Sequence, residues 1–84
     1  MNHYANPSFW ACYEKLPEDI QRLADKNFEL LKTNQNHPSL QLKKVGKYRS
    51  VRVSAKYRAL GVEIKAGIIW FWIGNHSEYD KLIS

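Results

Sequence analysis

Cysteine is nearly absent from this chain: Cys12 is the only one. A lone cysteine excludes a disulfide scaffold and a cysteine-rich zinc module, and it suits a reducing cytosol. Long apolar runs are missing too. The longest, Gly67 to Gly74, is strand-sized, well short of the roughly 20 residues that span a bilayer. Met1-Asn2-His3-Tyr4 has no basic, apolar signal pattern. No repeat, linker or low-complexity tract interrupts the sequence. The 84 residues therefore read as one domain, residues 1–84. Hydrophobic residues make up 44% and charged residues 25%, which argues against disorder. A chain this short buries only about 60–65% of its unfolded surface, so its core is small.

Acidic residues are missing from one stretch. Residues 43–58 hold seven basic side chains (Lys43, Lys44, Lys47, Arg49, Arg52, Lys56, Arg58) and no acid. The segments on either side each sum to −1, so the whole net charge of +5 comes from these 16 residues. Such a cluster fits a polyanion, most often nucleic acid, or a solvated face without a ligand.

Helix signals dominate up to Thr33. Pro7 opens a short helix carrying Phe9, Trp10, Tyr13 and Leu16. Pro17 opens a second helix with Glu18 and Asp19 in its first turn, where negative charge is favoured. Ile20, Leu23, Ala24, Asn27, Phe28 and Leu31 follow helical spacing. Asn34 to Pro38 is a loop. Strands follow. Tyr48 to Val53 alternates, with Arg49, Val51 and Val53 on a core face and Tyr48, Ser50 and Arg52 on the other. Tyr57 to Ile64 and Ile68 to Ile73 form a hairpin through Lys65-Ala66-Gly67. Alternation puts Ile69, Phe71 and Ile73 on one face, as core, and Trp70 and Trp72 together on the other. His76 to Ile83 forms a last short helix. The expected class is α+β: an N-terminal helical hairpin on a small antiparallel sheet of about three main strands, with a short C-terminal helix.

The run His37-Pro38-Ser39-Leu40, Lys43-Lys44, Ser50-Val51-Arg52-Val53, Tyr57-Arg58-Ala59-Leu60 and Ile73-Gly74-Asn75-His76-Ser77-Glu78-Tyr79 resembles the RelE/ParE toxin superfamily of type II toxin–antitoxin systems. The spacing Phe9, Leu16-Pro17, Ile20-Gln21 is similar to that family's helical hairpin. The family usually begins with a strand. Here Asn2, Asn6 and Pro7 are poor strand formers, so that strand is expected to be absent or vestigial. An exposed sheet edge would then invite a partner strand or a second copy of the chain.

The resemblance implies a cytoplasmic toxin with a cognate antitoxin partner, no cofactor and no metal. It also implies one of two activities. RelE-like members cut mRNA in the ribosomal A site, whereas ParE-like members inhibit DNA gyrase and have no nuclease chemistry. A degenerate member would only bind. Metal-free RNA cleavage uses the 2′-OH as nucleophile and needs a base, an acid for the leaving 5′-oxygen, and cations for the phosphate. His76 stands where RelE-like nucleases carry an essential histidine or arginine, and a histidine can take either proton-transfer role. The bland alternative is a surface histidine at the start of the last helix. Arg58, in the Tyr57-Arg58 pair, and Arg52 on the preceding strand are the phosphate-binding arginines under this reading. The alternative for Arg58 is a pair with Glu78 or Asp80. Lys43, Lys44, Lys47, Arg49 and Lys56 would contact RNA backbone. Lys56 sits where some relatives carry a catalytic carboxylate, whose role lysine cannot take. Tyr79 would stack on a base or pack its ring on the sheet. Trp70 and Trp72 read as packing residues, Cys12 as a small buried one. His3 and His37 stand too far from other ligand types to suggest a metal site.

Overall fold

A parallel strand pair joins the start of the chain to its end. The computed structural model describes residues 2–84. Strand β1 (Asn2–Ala5) lies parallel to β5 (Gly67–Asn75), pairing His3 with Ile68 and Ala5 with Trp70. Between them run helices α1 (Pro7–Tyr13) and α2 (Glu18–Asn34), a 3-10 turn (Pro38–Leu40), and strands β2 (Lys43–Val45), β3 (Tyr48–Ser54) and β4 (Tyr57–Ile64). Helix α3 (His76–Ile83) follows β5 directly. The sheet has five strands in the order β1-β5-β4-β3-β2.

The first strand is therefore present, and the sheet is mixed rather than three-stranded and antiparallel. Local sequence could not announce β1, because its strand state comes from pairing with β5. Gly67 is what admits it. A Cβ at Gly67, with φ of 153°, would lie 1.9 Å from the Asn2 carbonyl oxygen. The edge expected to be exposed is thus occupied by β1 along Gly67–Trp70.

Helix α1 starts as read, with Pro7 in its first turn and the Asn6 side chain accepting from Phe9 N at 3.0 Å. Pro17 caps α2 instead of opening it, and its carbonyl accepts from Ile20 N and Gln21 N at 3.0 Å. Glu18 and Asp19 fill the first turn and Lys32 the last, in line with the helix dipole. Ile20, Ala24 and Leu31 are buried against the sheet.

That helix-side core also holds Phe9, Val51, Val53, Ala59, Ile68, Trp70 and Ile73. Here a second expectation fails. Leu60 pairs with Trp72 but Gly61 pairs with Trp70, so Phe71 is an extra residue in β5. This bulge resets the alternation. Trp70 and Ile73 both enter the core, at 1% and 3% exposure. Phe71 and Trp72 are half-buried, and the Phe71 ring meets Tyr48 at 5.5 Å.

Candidate functional site

The sheet's other face carries polar side chains. The register sets Arg52 opposite Arg58, and Ser50 opposite Leu60 on one side and Lys43 on the other. Arg58 is only 9% exposed. Its guanidinium donates to Gln41 Oε1 at 2.9 Å and to Ser50 Oγ at 3.4 Å, and lies 5.5 Å from the Tyr79 ring centroid. The Tyr79 hydroxyl donates to Ser50 Oγ at 2.9 Å. Gln41 reaches inward from a left-handed backbone, φ 47°.

Among the described residues no carboxylate pairs with either arginine. The ion pairs among the described residues are Arg22–Glu18, Lys32–Glu29, Arg49–Glu63 and His76–Asp80. Like charges placed opposite each other on adjacent strands repel. A guanidinium this buried, without a counter-charge, keeps an unmet demand for an anion.

His76 starts α3. Asn75 caps that helix, its side chain accepting from Glu78 N at 2.9 Å, and the His76 backbone N–H donates to the Lys56 carbonyl at 2.7 Å. The turn between β3 and β4 is thereby fastened to the helix start, which brings Lys56 beside His76. The His76 ring sits 5.5 Å from the Tyr79 ring, so Tyr79 lies within reach of both His76 and Arg58. His76 Nδ1 is 3.2 Å from Asp80 Oδ2. In the tautomer with a proton on Nδ1, Asp80 accepts it and fixes the ring, and Nε2 is the nitrogen left outside this bond. Both side chains are about half exposed or more, so the pair orients the ring and adds little to stability.

The proposed residues are thus sorted by position. Arg52, Arg58, Tyr79, His76 and Lys56 gather around one end of the sheet. Tyr79, 3% exposed, packs its ring inside and is not free to stack on a base. Lys43 shares the open face by register, while Lys44 stands opposite Arg49. Lys47 lies over the Tyr48 ring at 5.4 Å. Arg49 is drawn to Glu63, 3.3 Å away. Sequence reasoning gives Gln41 no place, puts Ser50 only on the strand face of Arg52, and offers Asp80 to Arg58, whereas Asp80 meets His76. Asp80 carried a signal, since His76 and Asp80 are four apart on one helix. Gln41 and Ser50 carried none, because they meet Arg58 only through strand register.

Two clefts flank this region. One, of about 650 Å³, runs between α2 and the end of β3, with Leu23, Leu30 and Val53 as apolar lining and Lys26, His37 and Arg52 around it. The other, of about 320 Å³, lies between the α1–α2 turn and the end of β5, lined by residues including Lys15, Trp72, Asn75 and Glu78. Neither contains Arg58 and His76 together.

No family model matches the chain, and no curated protein does. Solved structures do. The RelB–RelE antitoxin–toxin complex from Methanococcus jannaschii matches over 96% of this chain and 99% of that one, with a TM-score of 0.70 and 17% identity. The isolated E. coli RelE toxin matches over 98% and 97%, with a TM-score of 0.56 and 17% identity. The YoeB–YefM complex from Staphylococcus aureus matches over 90% and 97%, with a TM-score of 0.55 and 14% identity. The fold is that of the RelE-like toxins.

Proposed function

We propose that this chain, built on the RelE-like toxin fold, is the toxin of a type II toxin–antitoxin pair and cuts mRNA on the ribosome. The observation that carries the reading is the Arg52–Arg58 pair, set opposite each other with no carboxylate, beside an oriented His76. A phosphate diester supplies the missing anion. Arg58 is held by Gln41, Ser50 and Tyr79, so its charge is preorganised for the negative charge that grows on phosphorus. The RNA 2′-OH attacks and His76 protonates the departing 5′-oxygen, with Asp80 holding its ring. The general base comes from the ribosome or from a second protein group. The ribosome also aligns the 2′-OH with the scissile bond, so the isolated protein should cut free RNA poorly.

The antitoxin partner belongs to the same proposal. The cleft beside α2 offers apolar Leu23 and Leu30 with Lys26, His37 and Arg52 around them, and no acid lines it. An acidic amphipathic segment complements it and would engage Arg52 from the helix side. Its on-rate should fall as salt rises.

The test is single-turnover cleavage on programmed ribosomes. His76→Ala should slow it by roughly 10²-fold or more and relieve growth arrest. Wild-type-like cleavage by this variant would overturn the catalytic assignment. Toxicity with DNA breaks and no ribosome-phased cuts in primer extension would replace the nuclease with a gyrase inhibitor.

A further inference from the structure

The 320 Å³ cleft at the end of β5 is used by none of the steps above, and its walls have a chemistry of their own. Small-molecule sites run from about 300 to 1,000 Å³, so it has room for one small planar group. Trp72 is one wall. Its indole lies flat across Gly74: a Cβ there would come within 2.5 Å of the six-membered ring. Only glycine lets the ring lie along the strand in this way. Tyr57 adds a second aromatic side chain. Around them stand Lys15, Asn75 and Glu78. The Asn75 side-chain oxygen is spent on the helix cap, which leaves its NH₂ group to donate. Neither Lys15 nor Glu78 takes part in an ion pair among the described residues. The cleft therefore joins an aromatic wall to donors and one acceptor. Asn75 and Glu78 flank His76 in the chain.

We propose that this cleft binds one unstacked base of the RNA, from a nucleotide neighbouring the cut. The base stacks on Trp72 while Asn75 and Glu78 read its polar edge and Lys15 takes the adjoining phosphate. A flat aromatic wall with both donors and an acceptor suits a base edge better than an aliphatic side chain of a peptide. This inference rests on the nuclease reading.

The probe is a trinucleotide whose 2′-hydroxyls are methylated, so that it cannot be cut. It is titrated into the whole chain while the three indole N–H resonances are followed by NMR. The Trp72 resonance should move. That of Trp70, buried and donating to His3 at 3.1 Å, should not. Trp72→Leu should weaken trinucleotide binding by about tenfold, and Trp72→Phe, which keeps a stacking face, should recover most of it. Trinucleotide shifts at Arg52 and Arg58 with Trp72 unmoved would overturn the base subsite and leave the nuclease reading standing. No trinucleotide binding anywhere would overturn the subsite, while ribosomal cleavage by the wild type would still decide the nuclease reading separately. A Trp72 shift produced by an antitoxin peptide and not by the trinucleotide would reassign the cleft to protein docking.

Discussion

The two faces of the sheet use the same strands for opposite purposes. Toward α1 and α2, β3, β4 and β5 present Val51, Val53, Ala59, Ile68, Trp70 and Ile73, all below 9% exposure. On the other face the same strands present Ser50, Arg58 and Trp72, and Arg52, opposite Arg58 at the end of β3, also borders the cleft beside α2. The helix side is apolar and close-packed, which is where folding free energy comes from. On the other side a buried cation is held by neutral groups, an arrangement that adds little to stability. A strand's period of two lets one segment serve both faces, and the β5 bulge allows Trp70 and Trp72 to be divided between them. The comparison predicts that substitutions on the helix side reduce stability and those on the α3 side reduce function.

The largest effect tests the helix side. Trp70 fills the centre of the core and its indole N–H donates to His3 Nδ1. Trp70→Ala should cost about 3–5 kcal/mol. At about 4–8 °C per kcal/mol for a domain of this size, thermal melting should show it plainly. A loss under ~1 kcal/mol would mean that the helix-side core is not the seat of stability.

Arg58→Leu tests the opposite face. RNA cleavage should fall by about 10²-fold or more, as when a preorganised charge-stabilising group is removed. Stability should change by less than ~1.5 kcal/mol in either direction, because a buried uncompensated cation is replaced by apolar volume. A stability loss of ~3 kcal/mol with cleavage intact would make Arg58 a structural residue and erase the contrast.

A pH experiment joins the two ends of the chain. His3 is buried, accepts from Trp70 at Nδ1, and meets Gln35 Oε1 at 3.1 Å through Nε2. Those partners require the neutral ring with its proton on Nε2. Burial is the main cause that holds the His3 pKa below the ordinary 6.5, against the opposing pull of the Gln35 hydrogen bond. The unfolded chain therefore takes up the proton first as pH falls. Stability is fully present above 6.5 and is lost as pH drops through 6.5 toward the lower folded value. His3→Gln should flatten that part of the dependence in thermal melts. An identical dependence in both proteins would show that His3 does not couple β1 to the core.

Legibility in the sequence followed the range of the forces involved. Helix α2 was readable because its apolar spacing, acidic first turn and basic last turn are local. So were β3 and β4. Strand β1 was hidden because four residues without alternation become a strand only against β5; the hints were Gly67 and the strand with which the resembled family usually begins. The bulge at Phe71 was hidden because pairing, not composition, shifts the faces of Trp70 and Trp72. At the site, the resemblance pointed to Arg52, Arg58 and His76. The groups holding Arg58, namely Gln41 and Ser50, needed the folded register, 17 and 8 residues away in the chain.

The smallest predicted effect is the sharpest test of what the α3 side does. Tyr79 has two contacts there: its hydroxyl donates to Ser50 Oγ, and its ring lies under Arg58. Tyr79→Phe removes the first and keeps the second. Ser50 retains Arg58 as a donor, so the loss should be an ordinary hydrogen bond, about 0.5–1.5 kcal/mol in denaturant melts. Because the ring still supports the guanidinium, ribosomal cleavage should fall only a few-fold. The phenol is 3% exposed and turned toward Ser50, so it is not placed to give a proton to RNA. A 10²-fold fall in cleavage at unchanged stability would move the phenol from supporting Arg58 to taking part in proton transfer. The proposed division between His76 as the proton donor and Tyr79 as the support of Arg58 would then have to be redrawn.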